Sequence, residues 1–306
     1  MASGGVNPAD SRQPVRRALL IVNPGARRAA RARNAALAAF DSAGVEHEVV
    51  TTTAPGHATE IARARGRSFD AVFTLGGDGT AMEAITALAE EGPPVGILPG
   101  GTGNVLVRSL GIPLRVERAV RALLNGREAR IDLGALPDGR AFAIGLGVGL
   151  DEAMIAGASP MFKRRAGVMA YVWSAVKAGL RLEKFDVRLT VDGVLHETRA
   201  SSVMIANLGS VLGGRITFGG GIVHDDGLLH ACVYSPANLW EALRIFHGML
   251  TGTVDRDRRF ACFSGKRFLL ETNPPRRAQA DGELLGYTPI EVSVRPLSAR
   301  LLIPAR

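Results

Sequence analysis

Cysteine is nearly absent from this chain: Cys232 and Cys262 are the only two in 306 residues, and each stands in a run that reads as a strand. Two such thiols make neither a disulfide framework nor a cysteine-based zinc site, and they suit a reducing compartment. Aromatic residues are also scarce, at 5%. With no base-stacking motif and no recognition-helix pattern, nucleic acid is not an expected partner despite the basic balance. Long apolar runs are missing as well. The longest, 141–150, is broken by Gly145, Gly147 and Gly149, far short of the ~20 residues that a spanning helix needs. The residues up to Gln13 carry no apolar core of the kind a signal peptide has, so a soluble, cytoplasmic protein is expected. The six histidines are scattered and form no spaced ligand set with carboxylates.

What is present is apolar and basic. Hydrophobic residues make up 46%, which excludes a solvated, disordered chain, and 37 Lys and Arg against 29 Asp and Glu leave a net charge of +8. At roughly 150 residues per domain the length allows two domains. Glycine is abundant, 37 of 306, without the three-residue period of collagen. The surplus belongs in turns and in loops that face ligands.

Short apolar runs at 18–22, 46–50, 71–75 and 95–98 alternate with segments rich in Ala and Arg. Strands separated by helices predict a doubly wound, largely parallel α/β domain over residues 15–132, with ligands bound beyond the carboxyl ends of the strands. After Leu133 the pattern changes to alternating runs joined by Gly turns, as in 185–191, Asp192-Gly193 and 194–208. Residues 133–306 therefore read as a mostly antiparallel, β-sandwich-like domain, the last residues being free to return to the first domain. One apolar helix interrupts it at 165–182, bearing Met169, Tyr171, Val172, Trp173 and Val176.

Three strand ends carry glycines. The sharpest is 71–75 followed by Gly76, Gly77, Asp78, Gly79 and Thr80, then a helical run at 81–90. Strand, glycine turn and helix together form a phosphate-binding geometry, because bare backbone comes close to the anion and the helix N-terminus favours its charge. Thr80 and Glu83 match a capping box that would start the helix at Ala81. The glycines alone are equally those of a tight turn. The carboxylate of Asp78 favours a metal–nucleotide site, since beside a phosphate it needs a cation or a donor between them. A second unit runs from 95–98 through Pro99, Gly100, Gly101, Thr102, Gly103 and Asn104. Neither unit matches the Walker or the dinucleotide fingerprint.

Taken together, Asn23-Pro24-Gly25, the Gly76–Thr80 block, Gly101-Thr102-x-Asn104, Asp225-Asp226-Gly227-Leu228 and Asp281-Gly282-Glu283 resemble the bacterial diacylglycerol kinase and sphingosine kinase-like lipid kinases. The resemblance runs from about Ala18 to the C-terminus. It implies ATP bound in a cleft between the two domains, with Asn23, Thr52, Gly76, Gly77, Asp78, Gly79, Thr80, Thr102, Asn104 and Glu283 contacting the nucleotide or its metal. Thr52 is included because Gly56-His57-Ala58 resembles the family's Gly-Asp-Ala, with His57 in place of the usual Asp. Asp281 is implied as the general base that takes the proton of a lipid hydroxyl. Asp226 is implied as a ligand of Mg2+ with the carbonyls of Val223 and Leu228, an oxygen-only set suited to that ion. On spacing alone Asp281-Gly282 reads as a hairpin turn, like Asp138-Gly139 and Asp192-Gly193, and Asp226 has a turn as its alternative too. His224, beside it, reads as an ordinary turn residue.

Two positions depart from the family pattern: Met82 stands where Asn is common, and Val105 where Asp is common. The implied activity is transfer of the γ-phosphate of MgATP to diacylglycerol, a sphingoid base or another lipid alcohol. An NAD kinase, which shares the glycine block, and a non-catalytic nucleotide- or lipid-binding homologue are the alternatives. Basic residues cluster at Arg27, Arg28, Arg31 and Arg33, at 163–165, at Arg256, Arg258 and Arg259, and at Arg276 and Arg277. The 163–165 cluster precedes the apolar helix, an arrangement that fits peripheral contact with the anionic inner membrane face and equally fits a helix packed on its own sheet. A homodimer is left open.

Overall fold

The computed structural model describes residues 14–25, 29–149, 183–211 and 213–305. The chain divides into two units, one of residues up to 131 with 298 onward, the other of residues 132–297. The first is built from β1 (Arg17–Val22), α1 (Ala29–Ser42), β2 (Glu46–Thr51), α2 (His57–Arg65), β3 (Ala71–Gly76), α3 (Asp78–Ala87), β4 (Val95–Pro99), α4 (Val105–Ser109) and α5 (Val116–Leu124). The strands run parallel in the order β2-β1-β3-β4.

Continuous apolar runs suit strands buried on both faces, and β3 and β4 are buried along their whole length. Helix α1 packs on α5 and α2 on α3, with Phe40 and Phe73 meeting edge to face at 4.9 Å between ring centroids. The order 2-1-3-4 reverses direction between β1 and β3. That reversal makes the carboxyl ends of these two strands a topological switch point, where crevices open in sheets of this kind.

The second unit starts within β5 (Arg127–Ala135) and continues through β6 (Ala141–Phe142), β7 (Gly145–Gly149), β8 (Phe185–Val191), β9 (Val194–Ala200), β10 (Ser202–Ala206), β11 (Ser210–Val211), β12 (Ile216–Thr217), β13 (Leu229–Tyr234), α6 (Leu239–Thr251), β14 (Phe260–Gly265), β15 (Arg267–Asn273), β16 (Arg277–Ala280), β17 (Glu283–Tyr287) and β18 (Ile290–Ile303). One antiparallel sheet has the order β14-β13-β10-β7-β16-β17. The other joins β18, β15, β8 and β9. Val148, Val203, Ile205 and Ala231 of the first sheet share one core with Val187, Leu189, Phe268 and Leu270 of the second. The architecture is an α/β domain with a parallel sheet, followed by an antiparallel β-sandwich.

Two local readings change. The run at 194–208 is not one strand: the chain leaves β9 and enters β10 in the other sheet after Ser201. The physical reason is burial, since β9 is largely exposed and polar while every residue of β10 is buried. The helix after the glycine turn begins at Asp78, with Gly77 as its N-cap, and not at Ala81. Thr80 lies in its first turn, so the capping box does not form. The helix expected at 165–182 and the basic residues Arg27, Arg28 and 163–165 lie outside the described residues.

Candidate active site

At the switch point the loop after β1 is bolted to the first turn of α3. The Asn23 side chain donates from Nδ2 to Thr80 Oγ1 at 3.1 Å and accepts the Gly25 N–H at 2.9 Å. Just past β2, the Thr52 N–H donates to the Val22 carbonyl at 2.9 Å. Asn23, Thr52, Gly77, Gly79, Thr80 and Glu83 line one cleft of about 500 Å³ together with Pro24, Gly25 and the 53–55 segment. Gly76, Asp78, Thr102 and Asn104 surround the same loops without lining that cleft.

The two glycine loops stack backbone on backbone. A Cβ on Gly100 would lie 2.8 Å from the Gly76 nitrogen, and one on Gly101 would lie 2.7 Å from the Gly77 Cα, closer than any side chain permits. Gly77 is different, because a Cβ there would meet no atom of the described residues within 4 Å. Its φ of −87° is ordinary backbone. Among the described residues the space beside Gly77 is open, at the end of α3 where a helix has its positive dipole end.

Two carboxylates on α3 serve neighbouring helices. Asp78 accepts the N–H groups of Val105 at 3.1 Å and Leu106 at 3.0 Å, which fixes the start of α4. The donors that a carboxylate beside a phosphate requires are thus supplied, for both oxygens, by the chain itself. Glu83 accepts from Gly56 and Ala58, each at 3.0 Å, and so caps α2 from outside in place of its own helix. Sequence reasoning missed this, because its partners stand 27 and 25 residues upstream. His57 takes part in the same corner, its Nδ1 accepting the Thr53 N–H at 3.1 Å.

Asn104, at φ 47°, closes its loop by accepting from the Gly101 N–H and donating to the Gly101 carbonyl. Thr102 is exposed between them. Of the two departures from the family pattern, Met82 is buried in the unit, and Val105 contributes its main-chain N–H to Asp78.

The other sequence-derived residues lie in the second unit. Asp281 and Gly282, at φ 48° and 93°, form the turn between β16 and β17, the type favoured in two-residue hairpins. The Asp281 carboxylate reaches well beyond its own turn: Oδ2 accepts from Ala143 at 2.7 Å, and Oδ1 accepts from Ile144 and Gly145, both at 3.0 Å. Glu283 follows on the exposed start of β17. Asp192 also gathers N–H bonds from a distant strand, at Lys266 and Arg267, and these hold its carboxyl below the usual carboxylate range.

Val223, Asp226 and Leu228 share an exposed turn ahead of β13. Asp226 Oδ1 accepts the Leu228 N–H at 3.0 Å, while Oδ2 faces His230 Nε2 at 3.6 Å. A carboxylate and main-chain carbonyls are the ligand types taken by a hard cation that keeps several waters, and Asp226 Oδ2 is the oxygen that His230 also faces. The His224 carbonyl accepts the Asp132 N–H at 2.7 Å. Asp132 is a second residue that sequence reasoning missed. Fully buried, it accepts the N–H groups of Gly227 and Leu297, both at 2.7 Å. Asn207, equally buried, donates to the carbonyls of Asp132 and Ala143, and its Oδ1 has no hydrogen-bond partner among the described residues. An Asp inside the apolar run of β5 was the one available signal for this network.

On the surface, Arg259 pairs with Glu241 and Arg276 with Glu183. Among the described residues no helix is long and apolar enough to cross a membrane.

Residues 17–136 match the diacylglycerol kinase catalytic domain, and residues 145–303 match the YegS C-terminal NAD kinase beta sandwich-like domain. The chain belongs to the diacylglycerol kinase family. A diacylglycerol kinase of Bacillus subtilis (strain 168) is 29% identical over 283 residues, covering 90% of this chain and 93% of that protein. An uncharacterised protein of Synechocystis sp. is 29% identical over 251 residues, which is 81% of this chain and 57% of that longer protein. The crystal structure of a diacylglycerol kinase from Bacillus anthracis str. Sterne shares the fold, with a TM-score of 0.78 at 24% identity over 95% of this chain and 98% of that one. For this member of the kinase family, the first match contains both glycine loops and the second contains Asp226 and Asp281.

Proposed function

We propose that this kinase transfers the γ-phosphate of ATP to the hydroxyl of a lipid alcohol, diacylglycerol or a sphingoid base being the nearest chemical classes. The observation that carries the proposal is the cleft at the ends of β1 and β3, where among the described residues the space beside Gly77 at the N-terminus of α3 is open. An oligophosphate is the ligand class that such a terminus suits. In this reading Asn23, Thr52, Thr80 and the 76–79 backbone orient the phosphates. Thr102 and Asn104, on the loop after β4, and Glu283, at the start of β17, are the further nucleotide contacts of this reading.

Asp281 takes the proton of the attacking hydroxyl. Its three main-chain donors hold the carboxylate in one orientation, which is what a positioned base requires. Val223, Asp226 and Leu228 would hold Mg2+, whose contribution in phosphoryl transfer is to offset the charge on the phosphates. A lipid acceptor places the reaction at a membrane surface, and the net charge of +8 suits an anionic one.

The test is incubation of the protein with labelled ATP and a total lipid extract, followed by mass spectrometry of the products. A phosphorylated lipid alcohol is expected. Formation of NADP from NAD with no labelled lipid would overturn the assignment, as would tight MgATP binding without turnover across a broad lipid panel.

A further inference from the structure

The only two cysteines of the chain meet. Cys232 on β13 and Cys262 on β14 are direct partners in the antiparallel register, and their sulfurs lie 3.6 Å apart. Cys232 is fully buried and Cys262 is exposed. Two register pairs along, and so on the same face, Ser264 Oγ lies 3.0 Å from His230 Nδ1.

We propose that Cys232 and Cys262 form a redox pair, with Cys262 the residue that a peroxide attacks and Cys232 the residue that closes a cross-strand disulfide. Three features support it. Directly opposed residues on antiparallel strands have Cα atoms about 4.5–5.5 Å apart, within the window of about 4.4–6.8 Å that a disulfide accepts. The sulfurs then need only side-chain rotation to close to about 2.05 Å. Exposure differs in the way the chemistry requires, one thiol meeting the oxidant and the other shielded from it. The hydrogen bond between the two sulfurs also separates their acidities: with His230 beside it, it pulls the Cys262 thiol down to about 6, and it pushes the Cys232 thiol up. In this pairing a Cys262 thiolate, the nucleophilic form, would be the one that accepts from the Cys232 thiol.

The step balances with hydrogen peroxide as the oxidant. The Cys262 thiolate attacks one peroxide oxygen, an S–O bond forms, the O–O bond breaks, and hydroxide leaves and is protonated to water. The resulting sulfenic acid is attacked by Cys232 sulfur. The S–S bond forms, the S–O bond breaks, and the Cys232 proton leaves with the hydroxyl as a second water. Two electrons pass from the sulfurs to the peroxide, and a small dithiol reverses the change by exchange. The proposal is independent of phosphoryl transfer.

The test uses the full chain, reduced and then exposed to hydrogen peroxide, with intact-mass and peptide-mass readouts and iodoacetamide labelling. Expected are a mass lower by two hydrogens, a linked peptide pair containing Cys232 and Cys262, loss of labelling at both residues together, and recovery of both with dithiothreitol. In Cys232→Ser, Cys262 is expected to stop at a sulfenic acid that dimedone traps. Gain of oxygen mass at Cys262 in the intact chain without a link would overturn the pairing, as would a disulfide between two chains. The intact-chain result decides alone if the serine variant does not fold.

Discussion

The two units solve the same problem, holding irregular backbone in place, by different means. In the first unit the work is done by backbone and by short reach: glycines let two loops stack, and the carboxylates of Asp78 and Glu83 cap helices 25–28 residues away. In the second it is done by carboxylates that reach far along the chain. Asp281 binds amides 136–138 residues away, and Asp132 binds amides 95 and 165 residues away. Parallel strands with helical crossovers put every loop that follows a strand at one end of the sheet. In the sandwich the chain also crosses between sheets, as from β9 to β10, and the corners where it does so are held by long-range ties.

The largest expected effect tests the second mode. In Asp281→Asn the remaining oxygen still accepts from Ile144 and Gly145, while the new NH2 faces the Ala143 N–H, donor against donor. If Asp281 is the general base, phosphorylation of diacylglycerol falls by about 10²–10⁴-fold, with MgATP affinity retained. The same change is expected to cost about 1–3 kcal/mol of stability. Measuring the unfolding midpoint and the turnover together separates the roles. A lowered midpoint with full turnover would leave Asp281 as a tie between the β16–β17 hairpin and the 143–145 corner, and no more than that.

This contrast explains what could be read from the sequence. A glycine-rich turn between an apolar strand and a helix is local, so the loops at Gly76–Gly79 and Gly100–Gly103 stand out in a string of letters, as do the alternating strands and helices around them. The order of the parallel strands and the split of 194–208 between two sheets are not local, because burial decides them. Thr80 and Glu83 show the same limit on a small scale. Their spacing matched a reciprocal cap, yet Thr80 binds Asn23 and Glu83 binds the start of another helix. Asp281 and Asp192 both precede glycine in a hairpin turn and both gather distant amides, so only the partners distinguish them. Cys232 and Cys262 are 30 residues apart, and only the register of β13 on β14 brings them together.

A middle-sized effect is expected at Asp132. Its carboxylate is fully buried and holds Gly227, inside the 223–228 turn, and Leu297, a residue at φ 47°. Asp132→Asn replaces one acceptor by a donor that faces an N–H, at a cost of about 1–3 kcal/mol. Asp132→Ala leaves both amides unpaired and is expected to cost more. Denaturant unfolding of both variants checks the order. If Ala is tolerated as well as Asn, the amides have found water, and the long-range tie is not what holds this corner.

The smallest effect on stability, and the sharpest comparison, lies between two glycines of the first unit. An alanine at position 100 brings its Cβ to 2.8 Å from the Gly76 nitrogen. The loops must part, which is expected to cost about 1–3 kcal/mol in unfolding free energy. An alanine at position 77 meets no atom of the described residues within 4 Å and keeps an ordinary φ, so Gly77→Ala is expected to change stability by no more than about 0.5 kcal/mol. If the space in front of Gly77 receives the phosphates, the added methyl group weakens MgATP binding by about tenfold or more, equivalent to about 1.4 kcal/mol. Calorimetric titration of both variants reads the difference. Equal ATP affinity in Gly77→Ala and the unsubstituted chain would move the nucleotide away from the N-terminus of α3, and the open face at Gly77 would then have no part in binding it.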